Sequence, residues 1–264
     1  MPRIISTDFR KLPVWLAISI TTCGTVSCKK NSDPGYDPNN VIVINSNGDI
    51  APSMDQFRQI LGITVNTTPG AVGGHREINW EGVPDSLMNK TLPTNFFNTT
   101  DNSTPSRQRG LAYEVGSGEF RVSNNNFADV NSVASSQFSA YSGTKSFANI
   151  SSNLWQIDPQ VAGVAVAATV KGFGIVFSDV DENNTTFMEF FNEKGSLGKF
   201  YATAHNSSSS FTFLGVYFKN EKITAIKVGH DGVLADGQKD ISQGGPKDLV
   251  TLDDLLYDEP VKKD

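Results

Sequence analysis

The run Asp179-Val-Asp181-Glu-Asn-Asn184 sets carboxylate and amide oxygens just beyond an apolar stretch. Alternate side chains leaving a strand there can converge on a hard cation such as calcium, which is held by oxygen ligands of this kind. Asp179 and Asp181 are therefore candidate ligands. The run is not an EF-hand, because Asn184 stands where that loop requires glycine and Phe190 where it requires a bidentate acid. A polar hairpin turn is the simpler reading of the same residues.

A second acidic set pairs Glu77 and Asn79, early in the chain, with Asp253 and Asp254 near its end. Jelly-roll carbohydrate-binding modules often hold a structural calcium between an early acidic strand and an aspartate of the last one, and this layout is similar at the level of fold analogy. Strict alternation puts Leu252, Asp254 and Leu256 on one strand face and Asp253, Leu255 and Tyr257 on the other. One aspartate then points inward and needs a cation or hydrogen-bond donors; Asp254 is the preferred one. The competing reading pairs Glu77 with Arg76 or Arg107 and leaves the aspartates flanking a buried strand.

Catalytic constellations are not evident. No G-x-S-x-G elbow and no HExxH occurs, and His75, His205 and His230 all sit beside Gly, Asn or Asp in expected surface loops. Glycoside hydrolysis needs two carboxylates flanking a sugar, but Asp179-x-Asp181-Glu182 does not reproduce the acidic strand motifs of sandwich-fold glycosidases. Sugar binding asks for less: an aromatic plane and a few polar groups. Trp155, in Ser-Asn-Leu-Trp-Gln-Ile-Asp-Pro159, is the expected exposed plane and Trp80 a second, although large rings contribute most when buried.

The N-terminus joins a basic start, Arg3, Arg10 and Lys11, to the apolar run Leu12–Ile20 and a small polar stretch ending at Cys28. That is the layout of an export signal. The apolar run is about half the roughly twenty residues a helix needs to cross a bilayer. Thr25-Val-Ser-Cys28 resembles the processing site of bacterial lipoproteins, with cleavage before Cys28 and lipid on its sulfur; Cys23 is a competing site, disfavoured by the bulkier Thr22. Both cysteines lie in this leader, so the exported domain is expected to fold without disulfides. The resemblance implies a cell-envelope protein, at the outer membrane of a Gram-negative bacterium. Its net charge of -6 and pI near 5.1 exclude an electrostatic nucleic-acid role, which needs clustered Lys and Arg.

The elements that must position these residues follow from composition. After the signal at 1–27, residues 28–48 are a polar, Asn- and Pro-rich tether in which only Val41–Ile44 can form a short strand. Residues 49–110 read as a helical and loop region, with a helix over Ser53–Gly62 started by a Ser53/Gln56 capping box and stopped by Gly62. From 111 to 260, short apolar runs between turn residues predict an antiparallel β-sandwich or jelly roll. Phe is abundant, 17 residues against 3 Trp and 6 Tyr, as expected where ring edges from two sheets meet.

Gly73-Gly-His-Arg-Glu-Ile-Asn-Trp-Glu-Gly-Val-Pro-Asp85 resembles a family of secreted bacterial proteins with a GRREINWDGVPD-like signature. The likeness continues through Leu92–Asn98, Gly172–Asp181, Glu189–Phe191, Phe213–Val216 and Leu252–Tyr257. It departs at Glu81 for Asp, His75 for Arg and Asp258 for Gly. It implies an extracellular β-sandwich and no particular activity. Asp85-Ser-Leu87 resembles a short O-glycosylation acceptor, with Ser86 as the modified residue. The combined expectation is a lipid-anchored, non-catalytic surface module that binds a polysaccharide or an envelope protein. A structural or adhesive protein without a small ligand, and a glycan hydrolase, are the alternatives.

Overall fold

The computed structural model describes residues 39–205 and 210–264. The first elements are β1 (Val41–Asn47), α1 (Ala51–Leu61), β2 (His75–Ile78), β3 (Leu111–Tyr113), β4 (Phe120–Ser123), β5 (Ser146–Asn149) and β6 (Leu154–Pro159). They are followed by β7 (Ala168–Thr169), β8 (Gly172–Ser178), β9 (Phe187–Asn192), β10 (Gly195–Tyr201), β11 (Phe211–Phe218), β12 (Ala225–Gly229), β13 (Thr251–Asp258) and β14 (Val261–Lys262). The larger sheet runs β1-β11-β8-β13-β5-β4, with β2 also paired to β13. The smaller runs β10-β9-β12-β6-β3, and β14 pairs with β7 as a separate ribbon. The two main sheets are antiparallel and stack as an all-β sandwich, as expected.

Alternation explains the smaller sheet. Met188 and Phe190 of β9, Ile226 and Val228 of β12, and Trp155 and Ile157 of β6 all point inward and are buried, while their neighbours in sequence face outward. They meet Phe173, Ile175, Phe177, Leu214, Val216, Leu252 and Leu255 of the larger sheet in one core. Each such side chain contributes about 1.5–3 kcal/mol by leaving water.

The larger sheet is buried on its other face as well, because α1 lies across it. Met54, Phe57 and Leu61 form the buried stripe of α1 and pack on Ile44, Val176, Phe213 and Leu256. Gly174 and Gly215 are direct partners between β8 and β11, and a Cβ on either would lie 2.9 Å from the ring of Phe57. The two bare backbones make the trough that seats that ring. Double coverage is why β8, Gly-Phe-Gly-Ile-Val-Phe-Ser, reads as a continuous rather than alternating run.

Several expectations are corrected. The helix begins at Ala51, with Ile50 at its N-cap position and no side-chain cap; Pro52 lies in the first turn and Ser53 inside the helix. Proline is pre-organised for that first turn, which displaces the start from the capping-box position. Gly62 does end the helix, its N–H returning to the Arg58 carbonyl. Residues 41–47 are not tether but the edge strand β1, paired along its length with β11. The Asp181–Asn184 segment is not a hairpin: residues 180–186 cross from β8 in the larger sheet to β9 in the smaller. Asn192–Gly195 forms a tight hairpin, joining β9 to β10.

Candidate functional site

Residues 180–186 leave the larger sheet for the smaller at one end of the sandwich. Residues 230–250 return from β12 to β13. These two crossovers meet in a group of carboxylates. Asp179 closes β8 in a left-handed conformation, φ 69°, which aspartate tolerates better than most residues. Its side chain is fully buried, and neither carboxylate oxygen has a hydrogen-bond partner. Half-buried Asp181 also leaves one oxygen unpartnered. One oxygen from each of Asp179, Asp181 and Asp240 falls within 4.8 Å of the others.

Asp240 is held by its surroundings. It caps a short turn, Ile241–Gln243, accepting from Ser242 N at 2.8 Å and Ser242 Oγ at 2.7 Å, with Gln243 returning to its N–H. Its other oxygen accepts from Leu249 N at 2.8 Å. Asp248 accepts from the backbone N–H groups of Asp181 and Glu182 and from the Thr185 hydroxyl, so it ties one crossover to the other. Burial, then the charges of Asp181, Asp240 and Asp248, pushes Asp179 up to about 8. Burial and the adjacent Asp240 carboxyl raise Asp181 to about 7. Burial raises Asp248 to about 6 against its hydrogen bonds.

The second expected cation set does not assemble. Among the described residues, the one group of three acidic side chains with oxygens within 4.8 Å of one another contains neither Glu77 nor Asp253 nor Asp254. Asn79 is exposed. Glu77 accepts from Arg58 Nε at 2.7 Å and lies 2.9 Å from His75 Nε2; despite burial, these bonds draw it down to about 2. Its partner is thus neither Arg76 nor Arg107. A bulge between Leu252 and Leu255 breaks the alternation of β13, so Asp253 and Asp254 are both buried. Asp253 accepts from Tyr141 N and, at 3.1 Å, from Ser142 N. Asp254 accepts from the Ser142 hydroxyl at 2.5 Å.

Both candidate sugar planes are buried to 1 % exposure. Trp80 stacks on Phe147 at 4.1 Å and donates to the Asp253 carbonyl. Trp155 packs edge-on against Tyr113, Phe120 and Phe147. Neither indole offers a face to a ligand. Two of the histidines are also misplaced by the sequence reading, since His75 lies on β2 and His230 beyond β12, both buried. Ser86 is exposed on the turn Asp85–Leu87. Cys28 lies outside the described residues, as do the leader and most of the expected tether.

A different aromatic surface is present. On the outer face of the smaller sheet, strand register aligns Tyr201, Phe187, Gly229 and Leu154 in one row and Lys199, Glu189, Lys227 and Gln156 in the next. Phe191 and Ser196 open a third. The Phe187 ring lies over Gly229, where a Cβ would come within 2.3 Å of it. Lys199 stands 4.1 Å above Phe187 and Lys227 5.1 Å above Phe191. Beyond Gln156 and Lys227 the face runs into a polar cleft of about 380 Å³, shared with Glu114, Ser117, Ser151 and Leu154. The sequence signal for this surface was the alternation of β9 and β10.

No protein-family model matches the chain, and no curated protein matches it. Among the described residues, no helix is long and apolar enough to cross a membrane.

Proposed function

We propose that this chain is a non-catalytic binding module of the cell envelope, anchored by lipid on Cys28, that holds a glycan on the outer face of its smaller sheet. The observation that carries the reading is the register of that face: half-buried rings of Tyr201, Phe187 and Phe191 flank a row of charged and amide groups that leads into the cleft. A sugar ring has an apolar C–H side and a rim of hydroxyls. Aromatic planes suit the first, and Glu189, Lys227 and Gln156 can exchange hydrogen bonds with the second. Membership of the outer membrane of a Gram-negative bacterium belongs to the same reading and rests on the leader.

The test is binding of the purified chain to a panel of polysaccharides, with Gln156→Ala and Lys227→Ala as face variants. Both side chains are half-buried on the outer surface, so neither change disturbs the core. Saturable binding weakened about tenfold or more by Lys227→Ala and about threefold by Gln156→Ala is expected, a lost hydrogen bond being worth roughly 1.5–3 kcal/mol where one group is charged and roughly 0.5–1.5 kcal/mol where neither is. Binding indifferent to both variants would move the site elsewhere. No glycan bound, with a protein partner recovered by crosslinking in cells, would favour a structural or adhesive envelope role. Cys28→Ser should release the chain from the membrane fraction.

A further inference from the structure

Three carboxylates converge where the two crossovers meet, and one of the two fully buried ones is unsatisfied. Asp179 has 0 % exposure and no partner on either oxygen; Asp240, also at 0 %, faces it. An isolated ionised carboxylate in such a place costs several kcal/mol, and a second and third nearby add repulsion. A bound proton or a cation must offset this. Among the described residues, no Lys or Arg pairs with Asp179, Asp181 or Asp240.

We propose that Asp179, Asp181 and Asp240 bind one calcium ion. The donor set is all oxygen, as a hard cation requires. Calcium–oxygen distances of 2.3–2.6 Å let two ligands on one ion stand up to about 5 Å apart, whereas magnesium, at 2.0–2.1 Å, allows only about 4.2 Å. The oxygens here lie within 4.8 Å of one another, inside the span that one calcium ion bridges. Asp248 lies outside the group of carboxylates whose oxygens converge. Its oxygens are engaged by Asp181 N, Glu182 N and Thr185 Oγ1, which holds the loop that presents Asp181. Asp240 is aimed in the same way by Ser242 and Leu249.

The ion would clamp both intersheet connections at one point. The first of them delivers Phe187 to β9 and the second leaves β12 just after Gly229, so the clamp braces the end of the aromatic face. Binding of the ion depends on the carboxylates alone, whatever that face holds.

The experiment is calorimetric and thermal titration of the purified, chelator-treated chain with calcium, alongside Asp179→Asn. Asparagine tolerates the left-handed backbone at this position and removes the unpaired charge, so the variant folds. One calcium per wild-type chain is expected, with a melting temperature raised by roughly 5–10 °C at calcium a hundredfold above its dissociation constant. Asp179→Asn should lose that response and, in chelator, melt above wild type. A wild-type chain that takes up no calcium and melts alike with calcium or chelator would overturn the proposal. So would one-to-one uptake that Asp179→Asn leaves intact, and a response to magnesium equal to that for calcium would overturn the choice of ion.

Discussion

Arg76 and Glu259 form a two-pronged ion pair in the interior, Nε to Oε2 and Nη2 to Oε1 each at 2.7 Å. Glu259 also accepts from Asn66 Nδ2 at 2.8 Å, and Arg76 donates to the Thr68 carbonyl at 2.9 Å. The pair therefore stitches the loop before β2 to the end of β13. Removing one buried partner strands the other's charge. Glu259→Ala is expected to lower stability by about 3–5 kcal/mol in urea unfolding, while the double change Arg76→Met with Glu259→Leu should cost much less. A single variant within about 1 kcal/mol of wild type would contradict a desolvated pair.

The trough under Phe57 predicts a steric effect of a single methyl group. In Gly174→Ala the new Cβ meets the rings of Phe57 and Phe213 at 2.9 Å, and overpacking of this kind costs about 1–3 kcal/mol. Gly82, with nothing within 4 Å, supplies the control. Denaturant melts should separate Gly174→Ala from Gly82→Ala by at least the lower figure, and amide exchange in α1 should quicken only in the first.

Stability should fall as pH rises through neutrality, in part because of Asp253. Burial first, then the adjacent Asp254 charge, raises this carboxyl to about 8 from an ordinary 3.8. Between those values the folded chain holds a proton that the unfolded chain has released. Its contribution is therefore fully present near pH 4 and is lost as pH climbs through about 8, at up to about 1.4 kcal/mol per unit. His230, drawn down to about 4 by burial from 6.5, opposes it only below pH 6.5, where folding excludes a proton. The comparison belongs between pH 6.5 and 8.5. Asp253→Asn should show a shallower slope there than wild type in calcium-saturated buffer; identical slopes would remove Asp253 from the account.

Strands with strong local signals were legible. Phe211–Phe218 is β11 at the bounds its apolar run suggests, and of the three polar turns at 181–184, 192–195 and 220–222 the second is a hairpin, whereas the other two pass between the sheets. β6 was hidden by its setting: Trp155, Ile157 and Pro159 alternate inward as a strand should, but the flanking Ser and Asn residues made Trp155 look like a loop residue. The bulge in β13 could not be read at all, since its cause is pairing with β8, β5 and β2 along one strand.

The candidate cation site divides in the same way. Asp179 and Asp181 were visible because neighbouring oxygens in a chain need only a strand end to bring them together. Asp240 carried a capping signature with Gln243, a sign of a turn and not of a ligand. Its approach to Asp179 depends on two crossovers stacking at one end of the sandwich. Composition and alternation determined the two-sheet fold, because burial of apolar faces is a local, periodic requirement. Which polar groups would be shut inside together was decided only by the tertiary structure, because sheet order brings into contact residues whose separation along the chain has no bearing on their spacing.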